Sequence, residues 1–487
     1  MGVRLEKLVL PSNEQIDALA MPELITLAKD WRERLELYQE QLFRERRHRY
    51  GRRSERSDDP SDPADNTTPA KARDEVTKRP SERYPVAPVH VERVTFPEAP
   101  PCPCCGTAMV DSGMTEDSET LGVRQKQFIV IEQRREKYRC ANCHGAIVTA
   151  PAPPRVTPGG TYSDEMVVDA TLSKYCDLIP MERYCKMAAR SGMAGLPPQS
   201  LIQSTFRLAE FMDPVYGKIK KEVLDASVIF ADETPHRMLE GDERTRWYLW
   251  GFSTKGASFF ECHSTRSGDV SSDVLRASRC EVLLTDVYSG YAKSVREVNT
   301  WREQNGVPRL VAAYCNAHAR RGFVTGDNST DAHYMVEQYK EIYRLESLQC
   351  ESVLERRAKM WPIFAAMRET AARKVIEYSS KSQLARAYSY FLTNFDGLTV
   401  FLSRENVPID NNASERILRS HVIGRKTWYG THSPEGAEVA AVHFTIVESC
   451  KMNGVNPRQY YADMIGSLHR GEEVMTPSEY KRRVLLN

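Results

Sequence analysis

At 487 residues the chain is too long for a single hydrophobic core, and roughly 150 residues per domain suggests about three domains. With 41% hydrophobic and 27% charged residues it is ordinary globular material, and a net charge of +1 confines any nucleic-acid-facing surface to local basic clusters. The sequence contains no run of eighteen apolar residues and no secretory leader pattern, so the expected location is cytoplasmic, with no membrane partner.

Residues 1–56 read as a helical zipper followed by a basic segment. In MPELITLAKDWRERLELYQEQL, Leu24, Trp31 and Tyr38 recur every seven residues, as do Ala28, Leu35 and Leu42, giving an a/d seam of about three heptads. Packing of one helix on a core explains such a stripe as well as self-association does. The charged surroundings favour a homodimer or higher oligomer. RERRHRYGRRSER then carries seven arginines against two glutamates, and Arg52 and Arg53 are its expected phosphate contacts. Residues 57–90, rich in Pro, Ser and charge, read as a disordered linker.

Residues 91–150 hold five of the twelve cysteines, which in a cytosolic chain point to a metal site rather than to disulfides. Cys102 and Cys105 make one C-x2-C knuckle and Cys140 and Cys143 another. Four thiolates so paired suit one tetrahedral structural Zn2+ with no open position, with Cys104 and His144 as spare donors. A zinc-ribbon-like domain that binds rather than catalyses is expected. After a Pro-rich stretch, residues 160–215 show three short helical patterns with a Gly-rich turn before the third. They read as a helix-turn-helix-like DNA-binding domain, with an ordinary three-helix support as the alternative.

From residue 225 the pattern turns to strand: ASVIFADETPH, RTRWYLWGFST, ASFFECHST, CEVLLTDVYSGY and RLVAAYCNAHARR. The first ends its apolar run at Asp232 and the fourth at Asp286, and aspartates at the C-terminal ends of buried strands are costly unless paired, hydrogen-bonded or metal-bound. Residues 331–403 then read as long helices. In VPIDNNASERILRSHVIGRKTWYG (407–430), Glu415 lies on a later helix that Asp410 is placed to cap. A strand-Asp, strand-Asp, helix-Glu set holds two hard divalent cations about 4 Å apart, Mg2+ or Mn2+. Asp410 is the rival third carboxylate. His318, Arg320 and Arg321 after the fifth strand are expected DNA contacts, as are Arg416, Arg419, Arg425 and Lys426, with Trp428 for base stacking. Structural roles for His318 and Trp428 are the alternatives.

RYGRRSER after a short zipper, CPCCG…YRCANC, ADETPHRM, LLTDVYSGY, CNAHARRGF and PIDNNASERILRSHVIGRKTWYG occur in that order. Over nearly the whole chain they resemble the DDE transposases of the IS66 insertion-sequence family. The resemblance implies a multidomain α+β protein with an RNase H-like core in two parts, 222–330 and 404–432. A helical insertion at 331–403 divides them, and a C-terminal helical region covers 433–487. It further implies Asp232, Asp286 and Glu415 as the metal-binding triad, and it favours Glu415 over Asp410. The implied enzyme binds the ends of its mobile element, cleaves DNA and joins the 3' ends to target DNA. It would do so on the bacterial nucleoid, with accessory proteins encoded alongside as further partners. The competing readings are a structure-selective nuclease of the same fold and a catalytically inactive zinc-containing DNA-binding regulator. The intact acids weigh against the latter.

Overall fold

Segments dense in β-branched and aromatic residues form the strands of the computed structural model, which describes residues 20–32, 35, 79–85, 88–92, 98–101, 103–108, 118–123, 126–139, 147–239, 246–326 and 330–485. The chain divides into two units, residues 54–129 and the remainder. Within 54–129, the short helix Pro80–Arg83 is tied to Glu119, whose carboxylate accepts from the Ser81 amide and hydroxyl at 2.8 Å each. A bridge between Pro101 and Ala108 closes the turn that carries Cys104 and Cys105. Cys102, Cys140, Cys143 and His144 lie outside the described residues, as do Arg52 and Arg53.

The larger unit includes the helix at 21–32, on which Leu24 and Trp31 are half-buried while Leu35 is 60% exposed. Tyr38 and Leu42 of the expected seam lie outside the described residues. A small antiparallel hairpin, β1 (Lys137–Arg139) and β2 (Ile147–Thr149), follows. Four helices then lead to the main sheet: α1 (Asp164–Tyr175), α2 (Met181–Arg190), α3 (Pro198–Phe211) and α4 (Asp213–Leu224). The Ser163 hydroxyl caps α1 by accepting from the Met166 amide, and prolines open α3 and α4, where a missing N–H costs nothing. The three helices of 160–215 do not pack as a separate bundle. Val167, Val168 and Leu172 of α1 and Leu208 of α3 share one core with Ile229, Trp250 and Ile446.

The main sheet comprises β3 (Val228–Arg237), β4 (Arg246–Ser253), β5 (Ser258–His263), β6 (Val282–Thr285) and β7 (Val311–Tyr314) in the order β5-β4-β3-β6-β7. The first three strands are antiparallel, and β6 and β7 run parallel to β3. These parallel strands are reached through α5 (Gly268–Arg276) and α6 (Ser289–Gln304), as parallel pairing requires crossover helices. Period-2 alternation buries both faces. Ile229, Ala231 and Leu283 enter one core, and Val228, Phe230 and Leu284 the other.

The second core continues through Phe323 of α7 (Asn316–Gly326) into the insertion, with Tyr339 of α8 (Thr330–Ser347), Phe364 of α9 (Val353–Lys374) and Phe391 of α10 (Gln383–Thr393). The helices expected over 331–403 therefore form, on the same core as the sheet. On the other face, α12 (Pro434–Asn453) covers the β5 edge, where Thr445 and Ser449 hydroxyls accept from the Phe260 and Ser258 amides at 3.0 Å each. An edge so covered cannot pair with another chain. The architecture is mixed α+β.

Candidate active site

The site is set by where β3 loses its parallel neighbour. The β3–β6 ladder ends at Phe230 and Leu284, whereas β3 continues to Arg237 against β4. Asp232 thus lies inside a long strand, opposite Gly251, rather than at its end as its apolar run suggested. Pairing with β4 carries the backbone on after the hydrophobic run stops. Beyond the last β6 pair, the Ala231 carbonyl is met by the Asn411 side-chain amide at 3.3 Å. Asn411 is the N-cap residue of α11 (Asn412–Trp428), so this bond fixes the start of α11 to β3 beside Asp232. Glu415 follows in the first turn, its amide donating to the Asn411 carbonyl at 3.1 Å. Asp286 comes directly after β6, its carboxylate accepting from the Tyr288 amide at 3.1 Å.

The charges of Asp286 and Glu415 both reach Asp232. Burial, followed by the charges of Glu233, Asp286 and Glu415, pushes the Asp232 carboxyl up to about 8. Glu415 Oε1 is buried without a hydrogen-bond partner, and its nearest basic group is His318 Nε2 at 3.6 Å. A carboxylate cluster with an unpartnered buried oxygen suits a divalent cation. The tightest donor grouping among the described residues is different, however. Cys315, His318 and Glu415 each present one donor atom, all within 4.8 Å of one another. The acids couple through charge at longer range.

Asp410 is occupied otherwise. It accepts from the Asn412 amide at 3.1 Å, the Asn412 side chain at 2.9 Å and the Tyr343 hydroxyl at 3.0 Å. It thus closes the turn leading into α11, one residue before the N-cap. Three participants escaped sequence reasoning. Glu233 adjoins Asp232 and is held by Arg266 Nε at 2.7 Å and the Tyr291 hydroxyl at 2.5 Å, while the Arg266 guanidinium stacks on Tyr288 at 4.0 Å. The paired acids of ADET and the final tyrosine of LLTDVYSGY were the available signals; Arg266 carried none, because only the fold brings it in.

The basic residues separate along α11. Arg416 and Arg419 are exposed near Glu415. Arg425 and Lys426 stand about 15 Å further along at 1.5 Å per residue, in a cleft of about 470 Å3 with His236, Arg237, Arg246 and Tyr429. The end of α11 is pinned there. The Thr431 amide donates to the Arg237 carbonyl at 3.1 Å, and a Cβ on Gly430 (φ 136°) would stand 2.1 Å from that carbonyl. Trp428, expected to stack on a base, instead meets Tyr175 edge-on at 6.3 Å and packs against the core, because Gly424 leaves room for its ring. Arg320 is half-buried and Arg321 exposed, both on α7 with His318.

The family model described as Transposase IS66 family matches residues 159–439, and that of the zinc-finger binding domain of transposase IS66 matches residues 101–144. Similar chains include two uncharacterized proteins of Sinorhizobium fredii (strain NBRC 101917 / NGR234). The protein y4hP is 27% identical over 80% of this chain and 74% of its own length; y4jD is 28% identical over 85% of each. The first family match takes in more than half of the residues, including both aspartates and the glutamate, and the chain belongs to the IS66 family of transposases.

Proposed function

We propose that the protein is a DDE-type DNA transposase whose Asp232, Asp286 and Glu415 hold two divalent cations, Mg2+ or Mn2+, and that it cleaves element ends and joins their 3' ends to target DNA. The observation that carries this reading is that acids from β3, the end of β6 and α11 converge on Asp232, whose carboxyl is pushed up to about 8 by burial first and then by the charges of Glu233, Asp286 and Glu415. The sheet order, three antiparallel strands followed by two parallel ones, supports an RNase H-like core around them. Cations bound there would supply Lewis-acid charge that acidifies a water and steadies the departing 3' oxygen. The chain's own residues do the remainder. Glu233, clamped by Arg266 and Tyr291, stiffens β3 beside Asp232. Arg416, Arg419, Arg320 and Arg321 supply positive charge for the DNA backbone near the acids, and the Arg425–Lys426 cleft holds it further away. His318 stands where a scissile phosphate would approach Glu415.

In this reading the zinc segment at 91–150, the helices of 160–215 and the arginines up to Arg53 recognise element ends, and self-association brings two ends together. The experiment is a magnesium-dependent assay on labelled element ends, scoring cleavage and joining separately. Asp232→Asn and Asp286→Asn should each lose both while still shifting end DNA in gels. Cleavage surviving in either variant removes the acid from the site. Cleavage without joining by the unaltered protein would reduce the activity to that of a nuclease.

A further inference from the structure

Next to the acids lies a donor set of softer chemistry. Cys315 follows β7 directly, His318 stands in the first turn of α7 and Glu415 in the first turn of α11, so the strand end and two helix starts meet at one point. The three donor atoms fall within 4.8 Å of one another. Donors around a tetrahedral Zn2+, each about 2.0–2.3 Å from the ion, stand roughly 3.3–3.7 Å apart. The 3.6 Å between His318 Nε2 and Glu415 Oε1 already fits. Two further observations point to an ion. Glu415 Oε1 is buried without a hydrogen-bond partner. Cys315 Sγ accepts from the Asn411 amide at 3.2 Å, the outer-shell bond that steadies a thiolate ligand.

We propose that Cys315, His318 and Glu415 form a three-ligand site for Zn2+ that withdraws Glu415 from Asp232 and Asp286, so that zinc switches off the magnesium-dependent reaction. The inference rests on Glu415 serving those aspartates, as argued above. Thiolate, imidazole and carboxylate together select Zn2+, whereas Mg2+ takes oxygen donors in octahedral geometry. The ion reaches the site from the half-exposed His318 and Glu415 side, and the Cys315 proton leaves to solvent. Glu415 cannot serve both ions at once, and that competition is the switch.

The test uses the full chain with its N-terminal zinc retained. Titration with Co2+ should raise a thiolate-to-cobalt absorption band that saturates at one equivalent. The band should be absent from Cys315→Ser and reduced in His318→Ala, whose site is half-exposed and tolerant of truncation. It should persist in Asp232→Asn. In the cleavage assay, the Zn2+ concentration for half-inhibition should rise roughly tenfold or more in Cys315→Ser. A band of equal size in Cys315→Ser, or no band in the unaltered protein, overturns the site. Zinc inhibition unchanged in Cys315→Ser overturns the switch. Cleavage by Asp232→Asn would instead overturn the carboxylate reading, whatever the cobalt band shows.

Discussion

Burial and the charges of Glu233, Asp286 and Glu415 lift the Asp232 carboxyl from an ordinary 3.8 to about 8, so near neutral pH it holds a proton that a cation must displace. A raised acid is most favourable when protonated. The metal-free protein should therefore lose stability as pH rises from about 4 to about 8 and change little beyond. Magnesium binding should run the other way, weakening about tenfold per pH unit below about 8 and releasing one proton, as calorimetry in buffers of different ionisation heat would register. An affinity flat between pH 6 and 8 would show Asp232 already ionised. The same reasoning separates Glu415 from Asp410. Glu415→Gln removes a charge from the cluster and should cut cleavage by more than the roughly 10–100-fold that outer-shell losses cost, leaving end binding intact. Asp410→Asn keeps an acceptor for the Asn412 amide and should cost no more than about tenfold. The reverse ranking would make Asp410 the third acid.

At the scale of elements, α11 acts as a strut along β3. Its seventeen residues span about 25 Å at 1.5 Å each, against roughly 20 Å for the six steps from Ala231 to Arg237, and it is pinned at both ends by Asn411 and Thr431. The two pins bring Glu415 within reach of Asp232 by charge and Arg425 into one cleft with Arg237. The neighbouring strut, α12, seals the β5 edge with hydroxyls. Thr445→Val and Ser449→Ala keep side-chain shape but leave the amides of Phe260 and Ser258 buried and unpaired. Each should lower stability by about 1–3 kcal/mol, read from thermal melting. An unchanged melting temperature would mean that water reaches this edge.

At the scale of the whole molecule, the proposed function also calls on the zinc segment and the N-terminal helix. Among the described residues, no buried member of the three core clusters falls within 91–150. Cys140→Ser should accordingly release zinc and weaken end binding while the sheet melts as before. A zinc-free protein that still binds ends fully would detach the segment from recognition. Leu35, 60% exposed on the N-terminal helical stretch, belongs to the seam expected to pair chains. Leu35→Glu combined with Leu42→Glu should lower the mass seen in sedimentation, and an unaltered mass would assign the stripe to packing within the chain.

The sequence by itself determined the family, through several specific motifs in a fixed order, and the strand segments of the main sheet, because period-2 burial leaves a local trace. The long helices of 331–403 were legible through the corresponding helical trace, a period of 3.6 residues. Only the tertiary structure decided where β3 stops pairing with β6, and with it that Asp232 sits inside a strand, because the length of a ladder depends on the partner strand. It alone decided that Trp428 packs on Tyr175 and that the helices of 160–215 share the sheet's core, since an apolar face does not name its neighbour. The meeting of Cys315 with Glu415 was invisible for a like reason. The two lie on separate helices' approaches, and the hydrogen bond from Asn411 to the thiol that joins them forms only when α11 docks on β3.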